Sequence, residues 1–81
     1  MADFKVLKTG SRGPQVQLLQ VGLSRAGFNT AADGIFGEDT EEAVRTFQEI
    51  FDLTPDGVVG FNTWYKISAI YVGVSQIAEY V

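Results

Sequence analysis

The carboxylates are the groups in this 81-residue chain whose type best suits them to chemistry. Asp33 and Asp56 stand out, because each opens the same eight-residue frame: DGIFGEDT from Asp33 to Thr40, and DGVVGFNT from Asp56 to Thr63. Two carboxylates facing one cleft at a defined separation are what glycoside hydrolysis requires. Asp33, Glu38 and Asp39 also invite comparison with a calcium loop, but the spacing lacks its Asp-x-Asp-x-Asp-Gly core and distal Glu. The chain has no histidine and no cysteine. A Ser-His-Asp triad, a Cys-His dyad, a zinc site and a disulfide are therefore excluded within it. Two aspartates in identical frames are better explained by two identical structural roles than by catalysis. The sequence thus predicts a protein that is not an enzyme, with no catalytic residue, no metal and no cofactor.

The second frame starts 23 residues after the first, with Asp, Gly, Gly and Thr in register. Such an internal repeat outranks local signals in reading a fold. Asp-Gly favours a tight turn, since Asp accepts backbone hydrogen bonds and Gly adopts positive φ. Ile35-Phe36 and Val58-Val59 then form a short extended step that can bury one side chain. Gly37 and Gly60 turn the chain into a helix. Thr40 and Thr63 fall near the helix start, where a hydroxyl can accept a free backbone N–H.

These turns need helices around them, and the periodicity supplies three. Residues 1–13 form a lead-in whose Phe4, Val6 and Leu7 can tuck onto a core. Pro14 suits a first helical position. Val16, Leu19 and Leu23 recur at helical spacing up to Gly27, which closes a helix of about 13 residues with Phe28 folded over its end. A second helix is expected over roughly Asp39 to Phe51. Its buried stripe is Ala43, Val44, Phe47, Ile50 and Phe51, Glu41 and Arg45 form an i,i+4 pair, and Pro55 provides the stop. A third helix begins near Asn62. Its stripe of Trp64, Ile67, Tyr71, Val74, Ala78 and Val81 has heptad-like spacing, broadened by Tyr65, Ile70, Val72, Ile77 and Tyr80. From Ser68 to Val81 the only charged residue is Glu79. Exposed apolar surface of this kind marks a partner site, with Tyr71, Val74, Ile77, Tyr80 and Val81 as the candidate contacts.

The fold class that follows is all-α. It is a compact three-helix bundle with two Asp-Gly-x-x-Gly-x-x-Thr turns and an extended apolar C-terminal helix. The 81 residues make one domain, with a core over about residues 6–67 and an extra helix over 68–81. Net charge is −4. Residues 33–56 hold eight acids against Arg45 alone, whereas residues 1–32 hold four basic residues against Asp3. The absence of a basic patch argues against nucleic acid and anionic membranes as partners. No run reaches the 18 apolar residues of a membrane span, and Met1-Ala2-Asp3-Phe4-Lys5 lacks a signal-peptide core.

From about Val6 to Ile67 the chain resembles the type 1 peptidoglycan-binding domain, a small three-helix bacterial cell-wall module. The likeness rests on ordered motifs: Leu7, Gly10, Gly13, Val16, Leu19, Gln20, Leu23 and Gly27; then Asp33 to Thr40; then Ala43, Val44, Phe47 and Gln48; then Leu53, Asp56, Gly57, Val59, Gly60, Thr63 and Trp64. Two departures stand out. Asp52 occupies a place where the family often has Gly, and the apolar tail extends about 14 residues beyond the usual end.

The resemblance implies non-catalytic binding of peptidoglycan or muropeptide, targeting an attached or associated protein such as a wall hydrolase to the cell wall. The location it implies is the bacterial wall, an extracellular setting or a phage particle. A glycan strand with peptide stems would want an aromatic face, amides and an arginine. Gln20, Phe61, Asn62 and Tyr65 are candidate contacts, with Arg25 and Asn29 as a second edge. An alternative from another class is a structural or assembly component, phage-tail-like or spore-surface, that uses the C-terminal helix for self-association or contact with a protein partner.

Overall fold

The computed structural model describes the backbone of residues 6–80 and the side chains of residues 6–70. Three helices follow in order: α1 Pro14–Arg25, α2 Glu38–Ile50 and α3 Phe61–Tyr80. The expected boundaries hold to within about one residue. α1 packs against both α2 and α3. Its inner face carries Val16, Leu19 and Leu23, which join Phe36, Ala43, Val44, Phe47, Val59, Ile67 and Leu7 in one buried cluster. α1 and α3 approach so closely that a Cβ on Gly22 would lie 2.8 Å from Ile67 Cγ2. The tail contacts expected at Tyr71, Val74, Ile77, Tyr80 and Val81 lie outside the described side chains.

Both α1 and α2 end in the same reversal. After α1, Gly27 takes φ 100°. The Phe28 N–H donates to the Leu23 carbonyl at 2.8 Å and the Gly27 N–H to the Ser24 carbonyl at 3.1 Å, a Schellman pair that satisfies the last carbonyls. After α2, Asp52 takes φ 62°, with Leu53 N–H on Gln48 O at 2.7 Å and Asp52 N–H on Glu49 O at 3.3 Å. Left-handed Asp52, not Pro55, is therefore the stop. Phe28 and Phe51, each the apolar residue beside such a reversal, close over Phe47, with ring centroids 5.5 and 4.6 Å from it.

Two expectations about α2 are corrected. Ile50 is 63 % exposed, because the helix ends there and the chain reverses before a second layer can cover it. Thr40 does not cap. The helix starts at Gly37 without a side-chain cap, and the Thr40 hydroxyl lies a turn further in, on the buried face. Glu38, Asp39 and Glu41 occupy the first turn, where acids contribute about 0.3–1 kcal/mol each against the helix dipole. Glu41 and Arg45 pair at 3.2 Å, as the spacing predicts.

The lead-in does more than cover the core. Leu7 and Val59 exchange two backbone hydrogen bonds, 3.1 and 2.8 Å, in an isolated antiparallel bridge. A second bridge joins Arg12 to Ile35, with Gly13 N–H on Gly34 O and Phe36 N–H on Ser11 O, both 2.9 Å. One short segment, turning at Thr9-Gly10 between its two bridges, thus ties both repeated turns to the body. Phe36 and Val59, equivalent in the repeat, bury the second residue of each extended step at 1 % and 0 % exposure.

Candidate functional site

Each repeated turn is built around a buried glutamine from the preceding helix. Gln20 on α1 is fully buried. Its Nε2 donates to Asp33 Oδ1 (3.1 Å), Ile35 O (3.0 Å) and Thr40 Oγ1 (3.0 Å). Its Oε1 accepts the Gly34 N–H at 2.8 Å. Gln48 on α2, 1 % exposed, repeats the set on Asp56 Oδ1 (3.2 Å), Val58 O (3.0 Å), Thr63 Oγ1 (3.1 Å) and the Gly57 N–H (3.0 Å). In both turns the Asp also accepts the N–H two residues on, Ile35 at 3.0 Å and Val58 at 2.9 Å. The frame therefore holds an amide socket: Asp and Thr accept from the amide nitrogen, and the Gly N–H donates to the amide oxygen. Among the described residues no buried side-chain polar atom lacks a partner, as such networks require.

The Asp33 carboxyl is held below its ordinary value, first by the Ile35 N–H and then by the Gln20 amide. Both bonds favour the ionised form.

Each turn opens outward onto a shallow groove. The first, about 250 Å³, is lined by Thr30, Ala31, Asp33, Ile35, Gly37, Glu38, Asp39 and Thr40. The second, about 290 Å³, is lined by Gln48, Leu53, Thr54, Asp56, Val58, Gly60, Phe61, Asn62 and Thr63. Shifted by the 23-residue repeat, the linings superpose: Asp33 on Asp56, Ile35 on Val58, Gly37 on Gly60, Glu38 on Phe61, Asp39 on Asn62, Thr40 on Thr63. Asp33 and Asp56 lie in separate grooves, so they form no catalytic pair. A third cleft of about 340 Å³ lies where Phe28, Asn29 and Thr30 meet Asp39, Glu42, Ala43 and Thr46 on α2. Among the described residues no three acids converge as metal ligands would, and no helix is long and apolar enough to cross a membrane.

Three of the six anticipated contacts come together. Phe61 and Tyr65, each 65 % exposed, stack with centroids 6.0 Å apart and planes 23° from parallel. Exposed Asn62 lies beside them, and Phe61 and Asn62 form one wall of the second groove. Gln20 is corrected: it belongs to the interior, and its amide, engaged at both ends, has no surface to offer. Asn29 lines the third cleft, which shares no residue with the second groove. Arg25 is exposed at the last residue of α1 and lines none of the three. Sequence reasoning missed Leu53 and Thr54 on the opposite wall. The repeat register was the available signal, because it makes the segment before each Asp a groove wall.

The sequence pattern of the peptidoglycan binding domain family matches residues 12–67. The chain is 41 % identical over 64 residues to the zinc D-Ala-D-Ala carboxypeptidase of Streptomyces albus G, covering 75 % of this chain and 25 % of that protein. It is 43 % identical over 60 residues to a spore cortex-lytic enzyme of Bacillus cereus, covering 73 % and 23 %. It superposes on the crystal structure of the SleB N-terminal domain with a TM-score of 0.79 and 37 % identity, covering 82 % of this chain and 92 % of that one. The chain spans about a quarter of the length of the curated relatives it matches.

Proposed function

Since this chain belongs to the peptidoglycan-binding domain family, we propose that it binds the bacterial wall polymer and concentrates an attached or associated wall-acting protein on it. The domain is the non-catalytic module of that family. The observation that carries this reading is the match over residues 12–67, supported by likeness to one segment of enzymes named as a carboxypeptidase and a cortex-lytic enzyme. Tethering a weak binder to a catalytic unit raises local concentration without new chemistry. In this reading the single domain has its core over about residues 6–67, and the rest of α3 extends beyond it. Phe61, Asn62 and Tyr65 are the contacts that geometry favours for the ligand, and Arg25 and Asn29 would belong to a separate edge. Cell-wall association follows. The assembly reading, with self-association through the tail, is not favoured, since relatives are named as a carboxypeptidase, a cortex-lytic enzyme and an amidase.

The test is co-sedimentation of the purified chain with insoluble peptidoglycan. Retention in the pellet, competed by soluble muropeptides, is expected. Recovery entirely in the supernatant at all protein concentrations would sink the proposal.

A further inference from the structure

The two grooves share a scaffold and differ in what they display, so each serves as an internal control for the other. Their backbone turns, buried glutamines and threonine acceptors are equivalent. At three exposed repeat-equivalent positions in the first two turns of the helix that follows, the first copy places Glu38, Asp39 and Glu42, and the second places Phe61, Asn62 and Tyr65. Glu42 is an exposed residue of the second turn of α2, and Glu38 and Asp39, which lie in its first turn, are accounted for by the helix dipole. The aromatic and amide set is not, because α3 carries no acid in its first turn and leaves two large rings in water. Neither change is needed to build the turn, since the first copy builds it without them.

From this divergence we infer that the second groove is the ligand site, and that it takes the uncharged N-acetyl sugar of the glycan strand rather than the charged stem peptide. The inference rests on the wall-binding reading and specifies which part of the polymer is held. The Phe61 ring, which lines the groove and stacks on exposed Tyr65 beside it, offers a face on which the C–H side of a sugar ring packs. Asn62 supplies both a donor and an acceptor for an acetamido group, and the Thr54 wall adds a hydroxyl. The groove has one acidic residue in its lining and no basic one. That carboxylate, Asp56, has Oδ1 engaged by the Gln48 amide and the Val58 N–H. A stem peptide bearing carboxylates would meet no opposing charge there. At about 290 Å³ the groove sits near the lower bound of small-molecule sites, roughly 300 Å³, consistent with one ring held at a time along a strand.

The experiment uses the whole chain with three probes: insoluble peptidoglycan, a soluble N-acetylglucosamine tetramer and a free stem pentapeptide. Binding is read by sedimentation for the first and by amide NMR shifts for the other two. The tetramer is expected to move the Phe61, Asn62 and Tyr65 signals while the pentapeptide leaves them in place. Phe61→Ala with Tyr65→Ala is expected to weaken retention on peptidoglycan at least about tenfold, roughly 1.4 kcal/mol. The matched control Glu38→Ala with Glu42→Ala should leave retention unchanged. If the wild type pellets and the aromatic variant, folded by NMR, pellets equally well, the site assignment is overturned and the wall reading survives. Shifts caused by the pentapeptide alone overturn the sugar assignment. A wild type that never pellets overturns both.

Discussion

Replacing Gln48 by leucine keeps most of its volume but leaves the Gly57 N–H, the Val58 carbonyl and the Thr63 hydroxyl without the amide that joins them. A buried group stripped of its partner costs about 1–3 kcal/mol, and three are affected at once. Gln48→Leu is therefore expected to lose at least about 3 kcal/mol in urea unfolding; a loss below about 1 kcal/mol would mean water substitutes for the amide. At Asp33 the carboxyl is held below 3.8 by Ile35 and Gln20. A depressed folded-state value contributes stability that is present above the unfolded value and lost as pH falls through the folded one. Asp33→Asn should flatten part of the wild-type decline below about pH 4, read as unfolding midpoints from pH 7 to pH 2. These roles were half legible. The Asp-Gly turns were visible as local chemistry, but Gln20 on α1 read as a ligand contact and Gln48 on α2 as an outward-facing helix residue, whereas both are buried. Nothing local says that an amide faces inward, since its partners lie 13 to 20 residues away for Gln20.

At the scale of elements, the three helices were legible from spacing because burial imposes the period that the sequence displays. Their ends were less so. α2 stops on a left-handed Asp52, where a side chain costs about 1 kcal/mol that glycine avoids. Asp52→Gly is accordingly expected to stabilise the fold by about 0.5–1 kcal/mol, seen as a higher denaturant midpoint with unchanged slope. A lower midpoint would mean that the Asp side chain contributes more than its strain. The Gly22 contact with Ile67 was invisible in sequence, because a glycine inside a helix signals weakness before it signals close approach. Gly22→Ala should force α1 from α3 and cost about 1–3 kcal/mol.

At the scale of the molecule, the lead-in is the part that sequence reasoning undervalued. Leu7 is 6 % exposed and bridges to the second turn, five residues before the family match begins. No periodicity marks a segment that pairs as single bridges with two distant turns. Leu7→Ala is expected to cost about 2–4 kcal/mol, well above a surface change, and to loosen both turns in hydrogen exchange, not only the one it touches.

The interior residues that hold each turn and the exposed residues that each groove displays are different sets of side chains. Gln20, Thr40 and Phe36 are buried, whereas Glu38, Asp39 and Glu42 are in water. Such a division makes the chain evolvable: recognition can be rewritten without renegotiating the fold. Transplanting the second display onto the first, through Glu38→Phe, Asp39→Asn and Glu42→Tyr, should leave the scaffold standing, at no more than the lost dipole contribution of about 1–2 kcal/mol. The result would be a domain with two like faces, able to grip one polymer at two points.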